Sequence, residues 1–230
     1  MFGLGRDELD AIRLSLLVAT VGTAASLPVA VLVAFVLARG RFWGKTLLDG
    51  VVHLPLVLPP VVTGYLLLIA FGRRGVAGAA LESCCGLVFS FRWTGAALAA
   101  GVMGFPLMVR AIRLSLEAVD RRLEDAAATL GAGRLGVFFA VTLPLAAPGV
   151  LAGLVLAFAK ALGEFGATIT FVSNIPGETR TLPAAIYTLT QTPGGDAAAG
   201  QLVLVAIALS LTALIASELL ARRLAARIAG

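Results

Sequence analysis

Apolar residues run along this chain in blocks longer than a soluble helix needs. Uncharged stretches extend over Leu14 to Ala38, Gly50 to Gly72 with His53 inside, Trp93 to Val109, Leu135 to Ala159 and Ala197 to Ser217. Each is near the roughly 20 residues that cross a bilayer as a helix. Runs such as "VAVLVAFVLA" (29–38) do not alternate apolar with polar, which argues against a β-barrel. The pattern predicts an all-α, polytopic transmembrane helical bundle of about five spans, with residues 1–230 as one domain. Met1 to Asp10 mixes charges and leads into an apolar run too long for a cleaved leader, so the first span is read as a permanent anchor.

Composition agrees: 59% of residues are hydrophobic and 13% charged. One core of this size cannot hide that much apolar surface, so the lipid bilayer is the expected solvent. The net charge of +5 is scattered over connections rather than gathered on one face with aromatics, which argues against nucleic acid. Its sidedness says more. Arg39, Arg41 and Lys45, then Arg110, Arg113, Arg121, Arg122 and Arg134, then Arg222, Arg223 and Arg227 fall on alternate connections. The other connections carry Arg6, Arg13, Arg73, Arg74, Arg92 and Arg180. The excess places the first set in the cytoplasm, with the N-terminus outside and the C-terminus cytoplasmic.

Little in the chain suggests covalent chemistry. Cys84 and Cys85 are adjacent and rarely reach relaxed disulfide geometry, and the single His53 cannot assemble a zinc site, so no metal is expected. "GRFWGKT" (40–46) imitates a phosphate-cradling loop but has three residues between its glycines and follows a membrane helix instead of a strand. If ATP drives this protein, another chain binds it.

The connection after the third span is different. Leu116, Val119, Leu123, Ala126, Ala127 and Leu130 recur at helical steps, while Glu117, Asp120, Arg121 and Glu124 line the other face. This predicts an amphipathic helix supported by the four-apart pairs Arg113–Glu117, Glu117–Arg121 and Arg121–Asp125. Gly131 and Gly133 should end it, with a short apolar segment, Leu135 to Val141, leading to Pro144. Two readings fit: a helix resting on the membrane surface, or a nearly bare alanine-glycine face that a partner approaches closely with the acids as anchors.

The spacing of this stretch resembles the long cytoplasmic loop of ABC importer membrane subunits, whose pattern is E-A-A, three residues, G, nine residues, I, one residue, L-P. Here it reads Asp125, Ala126, Ala127, then Gly131, then Val141, Leu143 and Pro144, with Glu124 before the acid that replaces Glu. The resemblance implies a coupling loop over about 115–144. Its helix would dock on a separate cytoplasmic ABC ATPase at residues 117–138, through Glu124, Asp125, Ala126, Ala127, Gly131, Val141, Leu143 and Pro144. ATP and Mg would be bound by that ATPase, leaving this chain no cofactor and no catalytic residue. "HLPLVLPPVVTGYLLL" (53–68), "FPLMVRAIRLSLEAVD" (105–120) and "GEFGATITFVSNIPGETRT" (163–181) are similar to permeases of molybdate importers and, more distantly, of sulfate and thiosulfate importers. This implies an oxyanion as cargo, a periplasmic oxyanion-binding protein as partner and the bacterial inner membrane as location.

The resemblance also places the start of the fourth span near Leu145 and its end near Glu164, with Pro148 in its first turn. In the second span Pro55, Pro59 and Pro60 withhold backbone donors, so the helix should kink or unwind there. Broken backbone in lipid is tolerated against protein or a water-filled cavity, so the break is either pathway-facing or a packing kink. Lys160 and Glu164, four apart, would pair with each other, face a subunit interface or meet the anion. Thr168, Thr170, Ser173 and Asn174 offer neutral groups to an oxyanion. Residues 165–200, broken at "NIPGETRTLP" and "TQTPGGD", read as an outer loop with a short re-entrant or surface helix. Ala197 to Ser217 is the last span, with Glu218, Arg222 and Arg223 marking its exit. No internal repeat supplies two halves, so a second copy of the chain is expected to complete the pathway. The competing class is a stand-alone ion-coupled transporter. An intramembrane enzyme is disfavoured, because a lone histidine leaves no acid-base constellation.

Overall fold

The long uncharged runs fold as long helices, and the breaks between them fall at glycine, proline and one aspartate. The structure, a computed structural model, describes residues 5–229, with only the backbone at 217, 218 and 220–229. In chain order the elements are α1 (Arg6–Arg39), α2 (Lys45–Val57), α3 (Pro60–Phe71), α4 (Val76–Cys85), α5 (Trp93–Ala118), α6 (Arg121–Thr129), α7 (Arg134–Val137), a π-helical turn (Phe138–Thr142), α8 (Leu143–Leu162), α9 (Gly166–Val172), α10 (Leu182–Thr190) and α11 (Asp196–Ala229). Four helical stretches are long and apolar enough to cross a membrane: Arg6–Arg39, Trp93–Ala118, Arg134–Leu162 and Asp196–Ala216. The bent pair α2 and α3 makes up to a fifth, which agrees with the all-α bundle of about five spans. The side chains of Glu218, Arg222 and Arg223 lie outside the described residues.

Small residues set how closely these helices approach. A Cβ added at Gly104 of α5 would sit 2.9 Å from the Ala157 carbonyl oxygen of α8, and one at Gly153 would sit 2.9 Å from that of Met108. On the other side of α5, a Cβ at Gly101 would lie 2.9 Å from the Gly22 carbonyl oxygen of α1. In lipid, helices gain little from hiding leucine from one another, so close backbone packing at such positions holds the bundle. Helix α5 is therefore the hub, with α1 parallel to it and α8 antiparallel. Met108, Val109, Ile112 and Leu116 are buried along its second half. At the opposite end, the Leu182 amide donates to Ser15 Oγ at 2.6 Å, which ties α10 to α1.

Several local expectations need correction. The amphipathic helix does not run unbroken from Leu116 to Leu130: α5 ends at Ala118, Val119 is extended, and Asp120 caps α6 by accepting from the Arg122 amide at 2.9 Å. A short acid that satisfies a free amide starts a new helix more favourably than it continues an old one. Consequently Arg113 and Glu117, both in α5, pair at 2.8 Å, whereas Glu117–Arg121, split by the break, forms no ion pair among the described residues; Arg121–Asp125, within α6, forms none either. The segment Leu135–Val141 is not a separate piece but continues through the π-helical turn into α8, whose Leu143 amide reaches the Phe138 carbonyl. Pro144 has no amide to give, and widening the turn by one residue accommodates that gap. Pro148 lies in the interior of α8 rather than its first turn. Pro55 stays inside α2, and the second span breaks between Val57 and Pro60 with a bend of 115°. Residues 165–200 hold two short helices, α9 and α10, and the start of α11, and α4 occupies a stretch where the hydropathy pattern predicts no element.

Candidate functional site

One end of the bundle is cross-linked by charge. Arg39, in the last turn of α1, donates to Glu124 Oε1 at 2.9 Å and to the Val119 carbonyl at 3.3 Å. The same Glu124 oxygen accepts from Thr142 Oγ1 at 2.8 Å, so one carboxylate joins α1, α6 and the π-helical turn. Arg113 of α5 contacts Asp49 of α2 at 3.1 Å, closing the same end. Two of the connections on which sequence placed the basic excess, those after α1 and after α5, are thus neighbours in space.

The elbow itself is built by its C-cap. Gly131 adopts φ +93°, its amide reaches the Ala128 carbonyl at 3.0 Å, and the Ala132 amide reaches Ala127 at 3.2 Å. This is the paired bonding of a Schellman cap, and the left-handed angle is why glycine stands there. The two acids then part company. Glu124 points inward to Arg39 and Thr142, while Asp125 is exposed and forms no ion pair among the described residues. Ala126 is exposed and Ala127 half-buried beside it. Leu130 is 89% exposed and Leu135 75% exposed, an apolar surface on the elbow. Val141 and Leu143 are half-buried and Pro144 exposed where the elbow passes into α8.

The candidate pathway residues are only partly brought together. Glycine 166, which opens α9, packs against Pro60, so a Cβ there would lie 2.8 Å from the Pro60 ring; the break after α8 therefore meets the break before α3. Pro59 is exposed at that junction. Glu164 is 2% exposed; it pairs with Lys160 at 2.8 Å and accepts the Ala167 amide at 3.0 Å, bridging α8 to α9. Thr168 is buried, and Thr170 donates back to the Gly166 carbonyl at 2.8 Å within its own helix. Ser173 is exposed at φ +68°. Asn174 ties its loop down, donating to Thr188 at 2.8 Å and accepting from Arg180 at 3.1 Å. The polar run is therefore dispersed between helix interior and loop clamp.

Arg39, Thr142 and Asp49 were missed as structural partners. Arg39 was visible only as one of several basic residues after the first span, and Thr142 stands inside the motif at a position the pattern leaves free. Cys84 and Cys85 are exposed with their sulfurs 2.8 Å apart. The hydrogen bond with Cys84 pushes the Cys85 thiol above its usual range. No cluster of three or more His, Cys, Asp or Glu suited to a metal occurs among the described residues.

Comparison with known proteins is consistent across this architecture. Residues 26–230 match the family described as binding-protein-dependent transport system inner membrane component. The chain is 61% identical over 215 residues, 94% of each chain, to the molybdenum transport system permease protein ModB of Escherichia coli K12. It is 59% identical over 217 residues to ModB of Haemophilus influenzae, covering 94% of this chain and 95% of that one. Among solved structures it superposes with a TM-score of 0.75 and 16% identity on a bacterial alginate ABC transporter in complex with alginate pentasaccharide-bound periplasmic protein, covering 95% of this chain and 80% of that one. The last of these speaks to the fold alone.

Proposed function

This chain belongs to the binding-protein-dependent transport inner membrane components, and from that membership we propose that two copies of it form a gated conduit for a tetrahedral oxyanion, molybdate, moved inward by alternating access. The molybdenum permeases that are 61% and 59% identical to it carry the choice of cargo. In this reading the N-terminus is outside, and the elbow of α6 and α7 faces the cytoplasm. Two ATPase subunits dock there and bind ATP and Mg, while a periplasmic oxyanion-binding protein delivers from the other side. The permease itself hydrolyses nothing.

The observation that supports the coupling role is the division of labour between Glu124 and Asp125. Glu124 fastens α6 to α1 and to the π-helical turn that runs on into α8, so a push on α6 is transmitted to membrane helices rather than absorbed locally. Asp125, Ala126 and Leu130 are left exposed for a partner. The test is copurification of the ATPase and ATP-driven uptake into proteoliposomes with Gly131→Asp or with Ala127→Leu. Both readouts should fall, and undiminished docking and transport would remove the coupling role. Uptake by the chain alone on an ion gradient would instead favour a stand-alone transporter. Competition among molybdate, tungstate and sulfate decides the cargo.

A further inference from the structure

A groove of about 960 Å³ opens between the second half of α1 and the elbow that leads into α8. Its walls are apolar along most of their length: Leu27, Val31 and Phe35 on α1 face Val137, Phe139 and Leu143. Polar groups gather at one end only, where Arg39 and Glu124 neutralise each other and Arg121, Arg134 and Asp125 form the mouth. Arg121 and Arg134 are exposed, and neither guanidinium belongs to an ion pair among the described residues. Two unpaired cations against one unpaired acid leave the mouth with one net positive charge.

The groove's length identifies what fits. From Leu27 to Arg39 the helix rises about 18 Å at ~1.5 Å per residue. Half of a bilayer's hydrocarbon core is about 15 Å. An occupant must therefore be apolar over the depth of one leaflet and anionic at its surface end. Basic pockets between membrane helices are suited to such headgroups. We infer that this groove holds an acyl chain of an anionic phospholipid, with the lipid phosphate against Arg121 and Arg134. The site goes beyond the transport reading, but its mouth shares Arg121, Asp125 and Arg134 with the segment proposed to dock the ATPase, so lipid and ATPase have to be told apart by the test. It has a functional consequence nonetheless: the lipid would lie between α1 and the elbow that Arg39 and Glu124 hold together.

The test uses the full chain purified without its ATPase, which leaves Arg121 and Arg134 free of the docking partner, exposed to phosphatidylglycerol or phosphatidylcholine carrying a photoreactive diazirine on the acyl chain. Adducts are mapped by mass spectrometry. The expected result is labelling of residues 27–39 and 134–150 at several-fold higher yield with the anionic lipid. Arg121→Gln with Arg134→Gln should bring that yield down to the phosphatidylcholine level. Arg121→Lys with Arg134→Lys, which keeps the charge and controls for folding, should preserve the difference. Equal yields from the two lipids would reduce the groove to ordinary lipid contact and overturn the proposal. So would adducts confined to other helices. Cross-linking of Val31→Cys to a second copy of the chain, without lipid adducts, would assign the groove to the subunit interface instead.

Discussion

Arg39 and Glu124, 85 positions apart, meet at 2.9 Å where the first membrane helix ends and the loop helix α6 begins its second turn. Their side chains are 14% and 19% exposed, so the pair is shielded enough to matter without being deeply buried. Removing the Glu124 carboxylate strands the Arg39 guanidinium and frees Thr142 at the same time. Glu124→Ala should cost about 1.5–3 kcal/mol, the range for a hydrogen bond to a charged group. It should lower the thermal unfolding temperature in detergent, with ATP-driven uptake falling alongside. An unchanged melting curve would show that the elbow is held by other contacts.

Asp125 gives the contrasting outcome. Because it is exposed and forms no ion pair among the described residues, Asp125→Asn should change stability by no more than about 0.5 kcal/mol. If it contacts the ATPase, the same variant weakens copurification and uptake. The two neighbouring acids are separated by comparing melting temperature with ATPase retention for each. Equal behaviour of both variants in both assays would refute the division of labour.

Gly131 lies at φ +93° with open space where a Cβ would point, so a substitution there is limited by backbone angle and not by crowding. Gly131→Ala should therefore destabilise the elbow by about 1–2 kcal/mol, the cost of a left-handed conformation for an L-residue. Gly131→Asn, which tolerates that region better, should be milder than Ala, and Gly131→Val should be worse. Limited proteolysis of residues 121–137 reports the order. An order set by side-chain volume alone, with Asn worse than Ala, would mean that packing governs this position.

Gly104 is limited by the opposite cause. Its α5 backbone passes so near Ala157 that an added Cβ falls 2.9 Å from a carbonyl oxygen, which cannot move aside as a side chain would. Gly104→Leu should separate α5 from α8 and lower the yield of monodisperse protein, with a cost of at least about 1–3 kcal/mol. Gly50→Leu, at a helical position with nothing near its Cβ, serves as the matched control. Similar losses from both would remove the close-packing argument.

What could be read from sequence followed from whether each signal was local. Span number came from hydropathy, and the elbow's glycine from motif spacing, because lipid and a left-handed turn each impose a residue type directly. The break at Val119 was not legible, since periodicity continues through it and only the Asp120 cap ends the helix. The continuation of Leu135–Val141 into α8 was hidden for the converse reason: Pro144 looked like a boundary, and the π-helical turn accommodates it. The role of Glu124 depends on Arg39 and Thr142, partners 85 and 18 positions away, which no local pattern links. The same holds at the junction of α3 and α9, where the break at Pro60 and the end of a span near Glu164 were visible but the approach of Gly166 to Pro60 was not.

Lys160 and Glu164 carry the last prediction. Glu164 is 2% exposed and serves two donors, the Lys160 ammonium and the Ala167 amide, where α8 gives way to α9. Glu164→Gln keeps an oxygen for the amide but removes the countercharge, leaving Lys160 uncompensated. Breaking a buried pair this way costs about 3–5 kcal/mol, and the lysine side chain, 32% exposed, lowers the expectation toward or below that range's floor. Lys160→Met with Glu164→Gln removes both charges and with them the uncompensated ammonium, so the double variant should melt above the Glu164→Gln single. Uptake separates the roles. If the carboxylate's task is to keep the ammonium from holding a passing anion, Glu164→Gln transports with a lower maximal rate and a lower apparent KM, and the double variant recovers the rate. If the pair merely clamps the α8–α9 corner, rate and melting temperature fall together without a change in KM. Additive effects of the two single substitutions on melting temperature would show that the 2.8 Å contact contributes no coupling energy.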